Sequence, residues 1–473
     1  MLERNQELNG TTAQHAIVLG AGMAGLMAAK ALLNHFQHVT LIERDTLPSK
    51  PDFRRGVPQA KHGHVLLFTG YQIIEQLFPG IHDEMTAANI PQIDWGQECT
   101  WLSIWGWLPQ FKSHLKTHIC SRIQLEWMVR QRLMASQNFT LLEHCQIDRL
   151  LTDEAGSRVA GVVIHQQNGT ETQLKANLVV DTSGRNSLLP KWLQQTGYTA
   201  PAETAINSFL GYASRWYECP AGFEAKWKLL AIMAKPPEMK RGGMLFALEG
   251  DRLLLTLSGV NHDYPPTDDA GFLEFARSLR SPMIYEAIKD AKPISPIYPY
   301  HRTDNCWRHY ETLDRFPEGI VVLGDAVCGF NPIYGQGMST AALSVQLLDR
   351  MLKDYQRDRV GFSQKFQRKL AQMLKDPWLM ATSEDFRWEG TEGGKPNLMT
   401  RFMHRYMDQV AKLALFDVDI YQTFAEVIHM VRSPSALMRP KIALRVLQSV
   451  LQPSKASALS PQPQLEVGSK ASC

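Results

Sequence analysis

A short apolar run that passes directly into a glycine-rich turn places the strongest constraint on how this chain can fold. Residues 15–19 read as a buried strand, Gly20-Ala21-Gly22-Met23-Ala24-Gly25 follows, and residues 26–35 read as a helix rich in Ala and Leu. A second strand over residues 38–42 ends at Glu43. Strand, G-x-G-x-x-G turn, helix, strand and acid in this order form the fingerprint of a dinucleotide-binding βαβ unit. The sequence therefore predicts an α/β fold with a Rossmann-like parallel sheet.

Each residue of this fingerprint has its own physical role. Gly20 permits the tight turn, Gly22 lets the backbone approach a pyrophosphate, and Gly25 allows the helix to pack closely on the strand. Glu43 is placed to accept hydrogen bonds from an adenosine ribose, and its charge would repel a 2′-phosphate. The expected ligand is therefore FAD or NAD(H) rather than NADP(H).

A second strand–loop–helix junction lies late in the chain. An apolar run ends at Gly324-Asp325, a loop that contains Pro332, Gly335 and Gly337 follows, and residues 339–351 read as an amphipathic helix. The first turn of such a helix offers free backbone N–H groups and the positive end of the helix dipole. We therefore expect an electron-rich ligand here, with Asp325 accepting hydrogen bonds from its hydroxyl groups.

Two further segments carry candidate ligand-binding residues. Ser121 is a candidate N-cap that places Arg122 in the first turn of a helix, where the dipole does not favour a cation. Such a residue either binds a phosphate or the flavin, or is an ordinary surface arginine. The run Asp181-Thr182-Ser183-Gly184-Arg185 follows a third apolar strand, so we expect it at the carboxyl edge of the same sheet.

The hydrophobic pattern also divides the chain into regions. Residues 202–302 alternate between polar and apolar as an antiparallel sheet does, and residues beyond 351 have helical spacing. We predict a discontinuous Rossmann-like domain (1–200 and 303–352), an inserted β-sheet substrate domain (201–302, with a contribution from about 90–118), a C-terminal helical region (353–452) and a disordered tail (453–473). The helices are expected to cover the catalytic body; Arg439, Lys441 and Arg445 beside apolar residues leave contact with a membrane surface as the alternative.

Composition limits the functional classes. The chain has 50 Lys and Arg against 47 Asp and Glu, and no basic stripe with interleaved aromatics, so a small molecule is a better candidate ligand than a nucleic acid. Its 7 cysteines lack the spacing of metal ligands, and we predict no metal site. Residues 1–14 lack the apolar core of a signal peptide, and no apolar run could span a membrane, so we expect a cytoplasmic location.

Three loops in a fixed order, GAGMAG, DTSGR and GDAVCGFNPIYGQG, together resemble the FAD-dependent monooxygenases of the para-hydroxybenzoate-hydroxylase-like fold. The strings VPQAKHGHVLL, CSRIQLEW and GRNSLLPKWL are most similar to the bacterial branch that includes polyether epoxidases and is more distantly related to squalene epoxidase. The resemblance covers nearly all of residues 17–351 and also fits the C-terminal helices.

The resemblance implies a division of the cofactor between the loops. It places the ADP half of FAD near Gly20, Gly22, Gly25, Glu43, Arg44 and Arg122, and the ribityl chain and flavin ring near Asp325, Pro332, Gly335, Gly337 and Met338. Many members carry Asp-Gly in the middle motif, whereas this chain reads Asp181-Thr182-Ser183-Gly184. That motif contacts both FAD and NAD(P)H in the larger group, so the reductant is either NAD(P)H or a separate reductase.

The family chemistry implied by the resemblance is insertion of one oxygen atom from O₂ into an apolar alkene or aromatic ring. Insertion into an alkene requires no acid or base, so no catalytic residue is assigned. Residues that could line the substrate pocket are Tyr212, Arg215, Tyr300, His301 and Arg302. Alternatives are a prenyl reductase of the geranylgeranyl-reductase type and a flavin-binding protein without catalysis.

Halogenation is a further alternative. Trp105-Gly106-Trp107-Leu108-Pro109 approximates the W-x-W-x-I-P string of flavin-dependent halogenases, although that string lies much later in those chains. Trp101, Trp105 and Trp107 also alternate as residues of a half-buried strand do, and we favour this interpretation. A halogenase needs a lysine in its tunnel, and Lys61 is the candidate.

Overall fold

The computed structural model describes residues 14–220, 222–223, 225–354 and 360–451. The tail predicted over residues 453–473 lies outside these ranges. The strands, in chain order, are β1 (His15–Leu19), β2 (His38–Ile42), β3 (Gln92–Asp94), β4 (Cys99–Leu102), β5 (Lys116–His118), β6 (Phe139–Leu142), β7 (Cys145–Thr152), β8 (Val159–Gln166), β9 (Glu171–Lys175), β10 (Leu178–Asp181), β11 (Glu203–Ile206), β12 (Gly211–Glu218), β13 (Leu229–Ile232), β14 (Arg241–Leu248), β15 (Arg252–Gly259), β16 (Tyr298–Tyr300), β17 (Asn305–Arg308), β18 (Ile320–Val322) and β19 (Cys328–Gly329). The helices are α1 (Met23–Leu32), α2 (Phe68–Leu77), α3 (Ile81–Ala87), α4 (Arg122–Met134), α5 (Leu189–Gln195), α6 (Asp269–Arg277), α7 (Met283–Ile288), α8 (Gly337–Asp354), α9 (Phe362–Asp385), α10 (Leu398–Ala414), α11 (Val418–Ile428) and α12 (Pro440–Leu451).

A parallel sheet of order β18-β10-β1-β2-β6 forms the centre of the molecule. Its strands are short, and the side chains of β1, β10 and β18 are almost completely buried, as expected when helices cover both faces of a parallel sheet. The three glycine-containing loops follow β1, β10 and β18, which are adjacent strands. Parallel strands end at the same edge, so the topology brings the three loops together. The predicted α/β fold with a parallel sheet is confirmed.

A second, six-stranded sheet of order β16-β12-β15-β14-β13-β4 is supplied mainly by residues between 211 and 300. Its strands pair in antiparallel fashion except at one edge, where β4 runs parallel to β13. One face packs against α6 and α7 in a separate apolar core. The other face contributes Trp216, Leu229 and Phe246 to a core shared with α10, α11 and α12.

Two local expectations were wrong. Helix α1 begins at Met23 rather than Leu26 and ends at Leu32 rather than His35, because extended Gly22 is already its N-cap. The alternating tryptophans do not form one strand, because β4 ends at Leu102 and a turn stabilised by the Ser103 hydroxyl folds the chain back. Trp107 then bridges to Leu102.

The C-terminal helices cover the second sheet on one side. Val410 and Ala414 of α10 are fully buried against residues of α11 and of the second sheet, which agrees with the expected covering role. The outer face keeps exposed apolar side chains, among them Leu398, Phe402 and Leu447. Among the described residues, none of the helices combines the length and apolar character that a membrane span requires.

Candidate functional site

A large cavity of about 1340 Å³ begins at the carboxyl edge of the parallel sheet. It continues between the second sheet and the C-terminal helices. The residues predicted to bind the cofactor that line it are Gly20, Gly22, Glu43, Arg44, Arg122, Asp325, Pro332, Gly335, Gly337 and Met338. Residues separated by about three hundred positions in sequence therefore face one space.

The glycine fingerprint has the geometry that its sequence predicts. Gly20 has a φ of +95°, a left-handed conformation that favours glycine. A Cβ on Gly22 would meet nothing within 4 Å and would project into the cavity. Gly25 does not line the cavity, because it faces β1, where a Cβ would lie 1.8 Å from the carbonyl oxygen of Gly20. The first helix can therefore approach the strand, and its N-terminus stays open to a ligand.

Glu43 is buried at the tip of β2, with 6% of its surface exposed. Its carboxylate accepts hydrogen bonds from the backbone N–H groups of Ala21 (2.8 Å), Arg44 (2.8 Å) and Asp45 (3.0 Å). Its Oε2 also lies 3.1 Å from Nη1 of Arg54. Backbone and guanidinium donors thus fix the carboxylate at the edge where the fingerprint expects the adenosine ribose.

Arg54 links this carboxylate to a buried charge network that the sequence did not reveal. Its Nε donates to Glu126 (2.8 Å), its Nη1 to Asp45 (3.1 Å), and its Nη2 to the carbonyl oxygen of Ala21 (3.0 Å). Arg122 pairs with the same Glu126 at 2.6 Å. Burial alone would raise the pKa of Glu126, but Arg122 and Arg54 hold it below its usual range.

The network explains why Arg122 tolerates the first turn of α4. Glu126, one helical turn later, compensates the charge, and Ser121 caps the helix by accepting the N–H of Gln124. Arg122 is 5% exposed and lines the cavity beside the fingerprint. A buried, oriented guanidinium next to a glycine-rich helix start is suited to a pyrophosphate.

The late loop, residues 324–336, forms another part of the wall of the same cavity. Gly324 has a φ of +68° and directs the next residue, Asp325, toward the cavity. Among the described residues no donor hydrogen-bonds the Asp325 carboxylate. Burial raises the pKa of this carboxyl, and Arg185 and Arg122 offset part of that shift. A half-buried carboxylate that faces a cavity without a donor from the described chain is suited to a ligand that brings hydroxyl groups.

The start of α8 completes this wall. A Cβ on Gly337, its first residue, would meet nothing within 4 Å, so the backbone at the helix start is open to the cavity. Gln336 immediately before it is 3% exposed, and its side-chain carbonyl oxygen has no hydrogen-bond partner within the described chain. An open helix N-terminus and an unsatisfied acceptor are complementary to a flavin ring, which carries both carbonyl oxygens and an N–H group.

FAD fits this donor set at both ends. Open Gly22 and buried Arg122 suit its pyrophosphate, Glu43 its adenosine ribose and Asp325 its ribityl hydroxyls. The open start of α8 suits the flavin ring. This agreement rests on the side chains that line the cavity and on glycine positions where a Cβ would meet no protein atom.

The middle loop is stabilised mainly by its own side chains. Asp181 is fully buried and accepts hydrogen bonds from the hydroxyls of Ser183 (2.6 Å) and Ser187 (2.5 Å). Thr182 donates to the carbonyl oxygen of Leu19 at 2.8 Å. The non-glycine residues of this loop therefore lock it to β1, while Arg185 reaches the late loop through the carbonyl oxygen of Phe330 (2.7 Å).

Three of the five candidate pocket residues line the cavity, namely Tyr212, Tyr300 and Arg302. The rings of Tyr212 and Tyr300 stack with centroids 5.3 Å apart. Arg215 is absent from the lining and pairs with Asp269 at 3.0 Å.

His301 and Lys61 are also absent from the cavity lining. The His301 ring stacks on Tyr264 at 4.4 Å. Lys61 places its ammonium 4.5 Å from the ring centroid of Tyr298. The lysine considered for halogenation thus lies outside the cavity.

The far arm of the cavity is apolar and was not predicted as part of the site. It is lined by residues of the second sheet and of the C-terminal helices, including Trp101, Leu229, Phe246, Met403, Met407, Phe424 and Leu437. The spacing of Met403 and Met407 did indicate an apolar helix face. It could not indicate that this face would border a cavity rather than a packed core.

Comparison with known proteins places this geometry in a family. The chain is 35% identical over 357 residues to Protein Rv3254 of Mycobacterium tuberculosis. This match covers 73% of this chain and 74% of that protein. It is 25% identical over 354 residues to squalene monooxygenase 1,2 of Brassica napus, covering 71% of this chain and 61% of that protein. No family model matches the sequence.

Solved structures share the fold at low sequence identity. A flavoprotein/dehydrogenase from Cytophaga hutchinsonii superposes with a TM-score of 0.65 at 16% identity, over 93% of this chain and 98% of that one. PqsL of Pseudomonas aeruginosa, described as a probable FAD-dependent monooxygenase, gives a TM-score of 0.59 at 16% identity, over 79% of this chain and 98% of that one. The flavin-dependent brominase Bmp2 gives 0.57 at 16% identity over 92% and 93%. The chain therefore belongs to the same family as Protein Rv3254, and it shares its fold with flavin-dependent enzymes that include a monooxygenase and a brominase.

Proposed function

We propose that this protein is a cytoplasmic FAD-dependent monooxygenase that inserts one oxygen atom from O₂ into an apolar alkene or aromatic substrate, by epoxidation or hydroxylation. The observation that carries the proposal is the continuity of the cavity. Loops suited to the flavin lead directly into a chamber with apolar walls. Bound and reduced FAD supplies the oxygen activation, and the chain's own residues position the substrate and exclude water.

The side chains near the late loop are suited to positioning the substrate rather than to transferring protons. Burial raises the pKa of both Tyr212 and Tyr300 above the ordinary range of tyrosine, so both hydroxyls stay protonated at neutral pH. They can donate hydrogen bonds to a polar group of the substrate. Oxygen insertion into an alkene needs no more than this from the protein.

The reductant is proposed to be NAD(P)H or a separate reductase. Arg185 and Arg302 face the cavity from the side of the middle loop and could attract an anionic nucleotide. Arg302 is held by the side-chain carbonyl oxygen of Asn186 at 2.6 Å, and Arg185 pairs with Asp304 at 3.3 Å. Both guanidiniums therefore already have partners within the protein. Electron delivery by a partner protein is the alternative to direct reduction by NAD(P)H.

Turnover by the purified holoprotein distinguishes the candidate functions. We expect O₂ consumption in step with oxidation of NADH or NADPH, or of a reductase, when an apolar polyene or aromatic substrate is added. The product should gain one oxygen atom from labelled O₂. A saturated product formed equally well under nitrogen would instead identify a prenyl reductase, and a flavin spectrum without turnover by any reductant would indicate a non-catalytic flavin protein.

Filling the apolar arm should impair substrate use and leave the cofactor in place. Met407→Trp adds bulk to the part of the cavity wall that α10 contributes. Residue 407 is far in sequence from the three cofactor loops. We expect kcat/KM to fall about tenfold or more, because overpacking costs about 1–3 kcal/mol. FAD content measured by absorbance should not change.

Arg405→Trp is the matched control for this substitution. It places the same bulk on the same helix at an exposed position outside the cavity lining. Its kcat/KM should equal that of the wild type. Equal kcat/KM for Met407→Trp and the wild type would show that substrate does not occupy this arm.

A further inference from the structure

The last residue of α9, Asp385, contacts the late loop. Its carboxylate accepts hydrogen bonds from the Tyr334 hydroxyl (2.8 Å), the Asn331 amide (3.0 Å) and the Asn305 amide (2.6 Å). Asp385 is 1% exposed, and both asparagines are equally buried. The backbone N–H of Asn331 also donates to the side-chain oxygen of Asn305 at 2.8 Å.

These contacts determine the conformation of the loop. With its amide nitrogen directed to Asp385, Asn331 directs its side-chain oxygen to the N–H of Ile333 at 3.2 Å. In this way it caps the short 3₁₀ turn Pro332–Tyr334, which ends at Gly335 with a φ of +66°. The loop then enters α8 at the open helix start. Asp385 therefore acts on the cavity wall through two residues that the loop itself supplies.

We propose that Asp385 is a positioning residue that anchors the loop from Asn331 to Gly335 in the shape required by the flavin end of the cofactor. This inference rests on the proposed function, because it takes the late loop to be the part of the cavity wall that contacts the flavin. It also assigns α9 a role beyond covering the catalytic body. The helix carries a carboxylate that joins strand β17, the late loop and the C-terminal region.

The charges around Asp385 favour an anchor that depends on ionisation. Burial raises the pKa of Asp385 to about 6, while hydrogen bonds from Tyr334, Ser208, Asn331 and Asn305 act in the opposite direction. Burial and Asp385 both raise the pKa of Tyr334, so its hydroxyl remains a donor.

The neighbouring ionic groups form their own pairs. Arg387 bonds Glu384 on the same helix end at 2.8 Å and Asp408 of α10 at 2.9 Å. The ionised Asp385 carboxylate can accept from all of its donors. The protonated carboxyl must turn an O–H toward groups that also donate, so it keeps fewer of these bonds.

The test compares variants of the FAD-loaded protein. Asp385→Asn should weaken FAD binding about tenfold, shift the flavin absorbance spectrum and lower kcat more than it changes KM, since one carboxylate serves several buried donors. In the wild type, FAD affinity should fall as the pH is lowered through about 6, and Asp385→Asn should remove that step. Tyr334→Phe removes one donor and should shift the spectrum in the same direction by less.

Asp349→Asn is the control. This carboxylate of α8 is also largely buried and bonded, to His35 and Lys353, but it lies outside the cavity lining. It should leave the spectrum and FAD affinity unchanged. If Asp385→Asn does not fold, Tyr334→Phe decides the question by its spectrum.

Wild-type affinity, spectrum and pH dependence in the Asp385 and Tyr334 variants would overturn the inference while leaving the proposed function intact. A wild-type protein that binds no FAD would overturn both. Wild type that binds FAD without oxygenating any substrate would contradict the proposed function alone, since affinity and spectrum still test Asp385.

Discussion

Replacing Gly22 with valine should yield a folded protein that does not retain FAD. A Cβ at this position meets no protein atom within 4 Å, so the apo fold can accept the larger side chain. The same Cβ would occupy the space into which the open start of α1 directs its N–H groups, where we place the pyrophosphate. We expect FAD affinity to fall at least about a hundredfold, because overpacking adds to the loss of backbone contacts. Absorbance of the purified protein and titration of the apoprotein with FAD measure this effect.

Gly25→Ala is the informative comparison, because it tests packing without touching the cavity. Its Cβ would lie 1.8 Å from the Gly20 carbonyl oxygen and 2.8 Å from the Thr182 hydroxyl. We expect a lower unfolding temperature and poor yield, whereas Gly22→Val should unfold near the temperature of the wild-type apoprotein. Full FAD occupancy in Gly22→Val would show that the pyrophosphate does not lie over this turn.

The parts of the site that could be predicted from sequence are those in which spacing along the chain sets the geometry. The fingerprint lies within a single βαβ unit, so strand, turn and helix positions fix its shape locally. The same holds for Asp325, because it lies only three residues beyond the end of β18 and must therefore lie near the carboxyl edge of the sheet. Adjacent pairing of β1, β10 and β18 then brings the loops together.

The parts that could not be predicted depend on contacts between distant segments. Arg54 was only one of several charged residues in a loop, and its role depends on Glu126 of α4. Asp385 is one acid in a long amphipathic helix, and nothing in its neighbourhood along the chain indicates Asn305 or Tyr334 as partners. Periodicity distinguishes the buried from the exposed face of a helix. It does not say whether a buried face borders protein or an internal cavity.

Replacing Asp325 with alanine should also cost the protein its cofactor, for a different reason. The half-buried carboxylate faces the cavity, and no donor within the described chain hydrogen-bonds it, so the hydroxyl groups of a ligand can satisfy it. Hydrogen bonds to a charged group contribute about 1.5–3 kcal/mol, and we expect FAD affinity to fall about ten- to a hundredfold. FAD retained through gel filtration and a titration of the apoprotein give the measurement.

The pH dependence of FAD binding separates a direct contact of Asp325 from a general structural role. Burial raises the pKa of the free carboxyl, whereas hydroxyl donors from a bound ligand would stabilise the charged form and lower it. Binding therefore favours the ionised state, so the wild type should lose affinity as the pH falls below the raised pKa. Asp325→Asn, which keeps the shape but cannot ionise, should bind FAD weakly and lose the contribution of Asp325 to this dependence, while the step near pH 6 that we assign to Asp385 remains. If Asp325→Asn matched the wild type in affinity at neutral pH, the carboxylate would not be the group that holds the ribityl chain, and the open start of α8 would have to hold the flavin end without it.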